Sequence, residues 1–125
     1  SFMAAMLAGG ALGMSGFALP LVEAGIGASI IIIAGLAAFG APLPVWLTSA
    51  LVAFFGLFHG FAHGTEMPVD ASGLAYAAGF VTASGLLHVT GLALGQAFSA
   101  KSRHAARIGS AAMALAGVVV LGGAL

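Results

Sequence analysis

Apolar residues fill this chain in five long stretches, separated by short clusters of proline, glycine, histidine or charge. Runs of roughly 20 apolar residues match the length an α-helix needs to cross a bilayer core. The pattern predicts helices over residues 2–19, 23–41, 45–64, 72–98 and 108–125. Together they would form one all-α, polytopic transmembrane bundle covering residues 1–125. Pro20 stops the first span, and Pro42 with Pro44 marks a tight turn, because the residue before a proline is pushed out of the helical region. Trp46 stands near the start of the third span as an interfacial anchor. Asp70 or Ser72 can cap the fourth. Gly9 and Gly13 give a small-xxx-small spacing that lets another helix approach closely.

Composition narrows the picture further. The chain is 62% hydrophobic and only 5% charged, with a mean hydropathy of +1.20. A soluble domain carries about 25% charged residues, so this inventory cannot build a water-exposed surface. The formal charge of zero excludes the basic footprint of a nucleic-acid binder. Without cysteine there is neither a thiolate metal site nor a disulfide. The chain opens on Ser1-Phe2 with no basic n-region and no cleavage pattern, so it does not begin like a signal peptide. A fragment lacking an N-terminal portion is the expectation.

Charge placement suggests an orientation. Lys101, Arg103 and Arg107 are the only basic residues, and short Lys/Arg-rich loops stay cytoplasmic. Loop 99–107 is therefore expected inside and loop 65–71 outside, with the Pro42–Pro44 turn inside. Glu23, Glu66 and Asp70 would then gather at the outer face, as an acidic mouth for an arriving cation. His104 lies among the basic residues and reads as a solvated side chain.

The candidate chemistry lies in Phe58-His59-Gly60-Phe61-Ala62-His63-Gly64-Thr65-Glu66. At about 100° per residue, His59, His63 and Glu66 share one helix face. Two imidazoles and a carboxylate suit divalent nickel, cobalt, zinc or iron. The bland reading is a pair of histidines bonded to carbonyls near an interface. Ionisable groups inside a membrane are costly, however, and usually mark a pathway. If Gly64 ends the helix, Glu66 leaves the stripe. Gly56, Gly60 and Gly64 form a smooth ridge on which a neighbouring helix can close. His88, deep in the fourth span, is either a hydrogen-bonder to Ser84 or Thr82 or a third ligand. Glu23 is either a ligand or a carboxylate favoured by its helix N-terminus. Met67 reads as incidental.

Phe58 to Glu66 resembles, without a gap, the Phe-His-Gly-x-Ala-His-Gly-x-Glu signature of the HupE/UreJ family of nickel-transport membrane proteins. Leu12-Gly13, Val22-Glu23-Ala24-Gly25-Ile26, Tyr76-Ala77-Ala78-Gly79-Phe80 and Leu86-Leu87-His88 are similar as well, so the resemblance covers essentially the whole chain. It implies six helices in a complete mature protein, located in the bacterial inner membrane. It also implies a permease, not an enzyme, whose transported substrate is nickel, with cobalt or zinc as further cargoes, supplied to hydrogenase or urease maturation. By motif His59, His63 and Glu66 carry over as functional residues, and Glu23 and His88 lie in matching regions outside the signature. A second family signature, His-Pro-x-x-Gly-x-Asp-His, is absent, which fits a chain lacking its first helix.

The mechanism expected on these grounds is stepwise replacement of an ion's water by imidazole and carboxylate. Ligation needs neutral histidine, so transport should fall below about pH 6.5, the unperturbed histidine value. Three rivals compete: a b-type haem anchor using His63 and His88, an intramembrane zinc hydrolase, and a purely structural membrane subunit. The hydrolase is weakest, because no glutamate stands between the histidines. The lipid bilayer is an expected partner. Small-xxx-small spacings also permit a homo-oligomer, and the cytoplasmic side is open to a metallochaperone.

Overall fold

The computed structural model describes residues 2–68, 70 and 72–123. Five helices follow one another: α1 (Phe2–Met14), α2 (Val22–Phe39), α3 (Val45–Thr65), α4 (Gly73–Lys101) and α5 (Arg103–Gly123). They pack as two compact units. One comprises α1, α3 and α4 as far as His88; the other comprises α2, α4 from Val89 onward, and α5.

Local chemistry sets the helix ends, and it corrects three expected boundaries. The first helix stops at Met14, not at residue 19. Gly16 takes the left-handed conformation (φ 78°), and the Ser15 hydroxyl donates to the Leu12 carbonyl at 2.7 Å. Together they close the helix early. Its 13 residues rise only about 20 Å, short of the roughly 30 Å bilayer core. Four helices, α2 to α5, are long and apolar enough to span a membrane. The fourth helix continues through Lys101, and the fifth begins at Arg103. The expected loop 99–107 is therefore almost entirely helical. Ser102 breaks the ladder and caps α5, its hydroxyl accepting from the Ala105 amide at 3.2 Å. His104 thus lies on a helix. Residues 124 and 125 of the expected fifth span, and residues 69 and 71 of loop 65–71, lie outside the described residues.

In the first unit, α1 and α3 run parallel with their backbones meshed. A Cβ on Gly9 would strike the Leu57 carbonyl oxygen, and one on Gly13 that of Phe61. From the other side, a Cβ on Gly60 would strike the Met6 carbonyl oxygen, and one on Gly64 that of Gly10. The neighbour admitted by the α3 glycine ridge is therefore α1, carrying its own glycine pair. Met6, Phe55 and Phe61 are buried at this seam. The first part of α4 lies antiparallel to α3. Tyr76 and Phe80 flank His63, while His88 reaches Phe2, the neighbour of Gly56. Ser72 caps α4, accepting from the Ala75 amide at 3.5 Å.

In the second unit, α2 and α5 are antiparallel, with Gly27 against Leu121 and Gly117 against Ile30 and Ile31. Ser29 is buried and bonds its own helix, donating to the Ile26 carbonyl at 2.6 Å. Gly40, left-handed at φ 64°, ends α2 in a Schellman turn. The Ala41 amide donates to the Leu36 carbonyl at 3.1 Å and the Gly40 amide to that of Ala37 at 3.2 Å. The Phe39 carbonyl takes a 2.7 Å bond from Nη2 of Arg107, placing a cation where the helix dipole favours one. The proline turn and the start of α5 thus share one end of this unit.

Leu21 adopts φ 59° with its side chain 75% exposed. A left-handed leucine costs about 1–2 kcal/mol, and here no packing offsets the strain. Leu21→Gly should therefore raise the thermal unfolding midpoint in detergent, and a fall would refute the assignment of strain.

Candidate functional site

The site is built on the last two turns of α3. Gly64 does not end that helix, because its missing Cβ is taken up in the contact with Gly10. The ladder continues to the Glu66 amide, which donates to the Ala62 carbonyl at 3.1 Å. Glu66 consequently stays below His63 on the same face. His63 Nδ1 and Glu66 Oε2 are 3.6 Å apart, and both side chains are exposed. A divalent ion about 2.1 Å from each atom would see them at roughly 118°, an open tetrahedral or trigonal angle.

Contacts from α4 hold His63 in place. The Phe80 ring lies 4.9 Å from the imidazole, centroid to centroid. The Tyr76 hydroxyl donates to the His63 carbonyl at 2.9 Å, in the last turn, where carbonyls lose their intrahelical donors. His63 and Tyr76 are the polar side chains of a cavity of about 30 Å³ that Met6, Met14 and Phe80 also line. That volume is enough for a water molecule. Tyr76→Phe should lower stability by about 1 kcal/mol, read as a lower unfolding midpoint in detergent. An unchanged midpoint would mean the hydroxyl carries no load.

The remaining expected ligands are placed differently. His59, half-buried one turn earlier, has Nδ1 3.3 Å from the Phe55 carbonyl of its own helix, which leaves Nε2 for other work. His88 likewise pairs Nδ1 with the Ser84 carbonyl at 3.3 Å, and its ring lies 4.7 Å from Phe2. Eight residues separate His88 from Phe80, about 12 Å along α4. His88 therefore does not lie beside His63, and the two rings do not face one another. Glu23, exposed in the first turn of α2, belongs to the second unit. Among the described residues, no three histidines or carboxylates converge as a metal cage; His63 and Glu66 are the pair brought together. Tyr76 and Phe80 were not foreseen as site residues, although their spacing, four apart at the start of α4, puts both on one face.

The outer surface defines the class. Of the large apolar residues among those described, only Met6, Phe55 and Phe61 are buried, whereas Leu74, Leu87, Val119, Phe39 and Trp46 are all more than 70% exposed. The span Gly73–Phe98 buries none of its residues. In water such faces would aggregate; in lipid they are already solvated, while each helix satisfies its own backbone. This is a multi-pass helical membrane protein.

Comparison with known proteins agrees. The family described as HupE / UreJ protein matches residues 1–120, and the chain belongs to that family. Protein HupE of Rhizobium leguminosarum bv. viciae is 37% identical over 124 residues. That match covers 98% of this chain and 65% of the relative, so the chain spans a little under two thirds of the curated relative's length. No solved structure matches.

Proposed function

We propose that this chain acts in a nickel permease of the bacterial inner membrane, a transporter and not an enzyme, which supplies metal for hydrogenase or urease maturation. The observation that carries the reading is the 3.6 Å pairing of His63 Nδ1 with Glu66 Oε2 on one exposed helix face. Membership of the HupE/UreJ family supports it.

The residues suggest an order of events. Exposed Glu66 meets the hydrated cation first, because a carboxylate attracts it at longer range than a neutral imidazole. His63 then replaces one of its waters, an imidazole nitrogen taking the place of a water oxygen. Two protein donors hold a divalent ion less firmly than the four of a closed structural site, which suits a cargo that must leave again. In this reading Glu66 and Asp70 face outward, and the end carrying Arg103 and Arg107 faces the cytoplasm.

The test is radiolabelled nickel uptake by cells that lack their own transporters and express the full-length gene at micromolar external nickel. Uptake above vector background, removed by His59→Ala with His63→Ala at equal membrane abundance, supports the proposal. Equal uptake by wild type and double variant would reduce the histidines to packing groups. No uptake by either would remove nickel as the cargo.

A further inference from the structure

The end of the second unit where α2 stops and α5 starts carries two arginines that, among the described residues, have no acidic partner beside them. A cavity of about 410 Å³ there is lined by Ala37, Gly40, Arg103, Ala106, Arg107 and Ser110. Gly40 is a glycine to this cavity's advantage, since a Cβ there would lie 2.8 Å from Nη2 of Arg107. Arg107 spends one donor on the Phe39 carbonyl, and a guanidinium has five. The arginines therefore retain fork-shaped donor sets suited to phosphate. No carboxylate lines this cavity. Glu23, at the opposite end of α2, is 16 residues from Phe39, about 24 Å along the helix. Two cations in one lining repel unless an anion from outside the chain joins them.

A second cavity, of about 360 Å³, lies on the other side of Arg107, and Phe39, His104, Ile108 and Ala111 are among its lining residues. It is mostly apolar. Phe39 is 82% and Ile108 65% exposed. Arg107 thus stands between a basic hollow and an apolar one, at the limit of two apolar helices. A free phosphate would fill the first and leave the second bare. An amphiphile with an anionic head would fill both.

We propose that this end of α2 and α5 is a binding site for an anionic phospholipid, with the phosphate held by Arg103 and Arg107 and the adjoining acyl carbons lying over Phe39 and Ile108. The site is independent of the nickel reading, because it uses neither His63 nor Glu66.

The full-length protein, reconstituted into nanodiscs of equal phosphatidylcholine and phosphatidylglycerol, tests it by native mass spectrometry of the retained lipid. Wild type should retain phosphatidylglycerol selectively, and Arg103→Gln should lower that retention about fivefold, the share of one basic residue at an anionic surface. Arg103→Lys, which keeps the charge but not the fork, should recover only part of it. Arg103 is an exposed helix residue, so these variants should fold. Equal retention of both lipids by wild type would overturn the proposal, as would unchanged selectivity in Arg103→Gln. Loss of the bound species to millimolar inorganic phosphate, with no preference between the lipids, would assign the cavity to a soluble anion and also overturn it.

Discussion

Gly60→Leu should separate α1 from α3 and lower the stability of the full-length protein by at least about 3 kcal/mol, the upper end of overpacking costs in a well-packed core. The cost is high because the obstacle is backbone. A Cβ at position 60 would meet the Met6 carbonyl oxygen and, behind it, the Met6 carbonyl carbon and Cα. No rotamer change relieves such a clash, so the helices must part along the whole seam. Gly79→Leu is the internal comparison, since a Cβ on Gly79 meets nothing within 4 Å. That change should not destabilise, and the helix propensity it gains inside α4 is worth up to about 1 kcal/mol in the stabilising direction. Unfolding midpoints in one detergent measure both. Equal midpoints for the two variants would sink the meshed-backbone account.

The histidines should separate by rank when changed singly. His63→Ala should cut nickel uptake by at least about tenfold, and Glu66→Gln by a similar factor, the scale seen when a metal ligand or its supporting partner is lost. His59→Ala should cost only a few-fold. His63 and Glu66 are exposed and 3.6 Å apart, and His63 lines the cavity. His59 instead turns Nδ1 toward Phe55 and meets a passing ion with one nitrogen at most. The double variant His63→Ala with Glu66→Gln should be scarcely worse than either single one, because groups that act on the same ion are not additive. Multiplying losses would show that they act at separate points.

Much of this was legible in the residues alone, and the departures have physical causes. Apolar runs between clusters of proline, glycine or charge located every helix, since period and length are local properties. The early end of α1 was not legible, because Gly16 in the left-handed conformation looks in sequence like any other glycine of a glycine-rich run. Arg103 to Arg107 read as a loop on charge. Ser102 followed by good helix formers makes it a first turn instead, and Arg107 finds its partner 68 residues away at Phe39. The stripe of His59, His63 and Glu66 followed from helical spacing. Which two of the three would meet depended on a rotamer and on Gly64 keeping the ladder intact. The depth of His88 depended on how far α4 slides along α3, which periodicity does not encode.

The seam between α1 and α3 has a mechanical side. The carbonyls of Met6 and Gly10 on one helix and of Leu57 and Phe61 on the other sit where the facing helix has a glycine, a pattern that repeats every four residues along both. Such a pair behaves like two toothed racks: it neither slides by a fraction of a tooth nor turns one helix alone. Any widening around His63 within this unit therefore carries α1 and α3 as one piece. On the α4 side the hold is lighter, a single hydroxyl bond from Tyr76 and a tilted ring contact from Phe80.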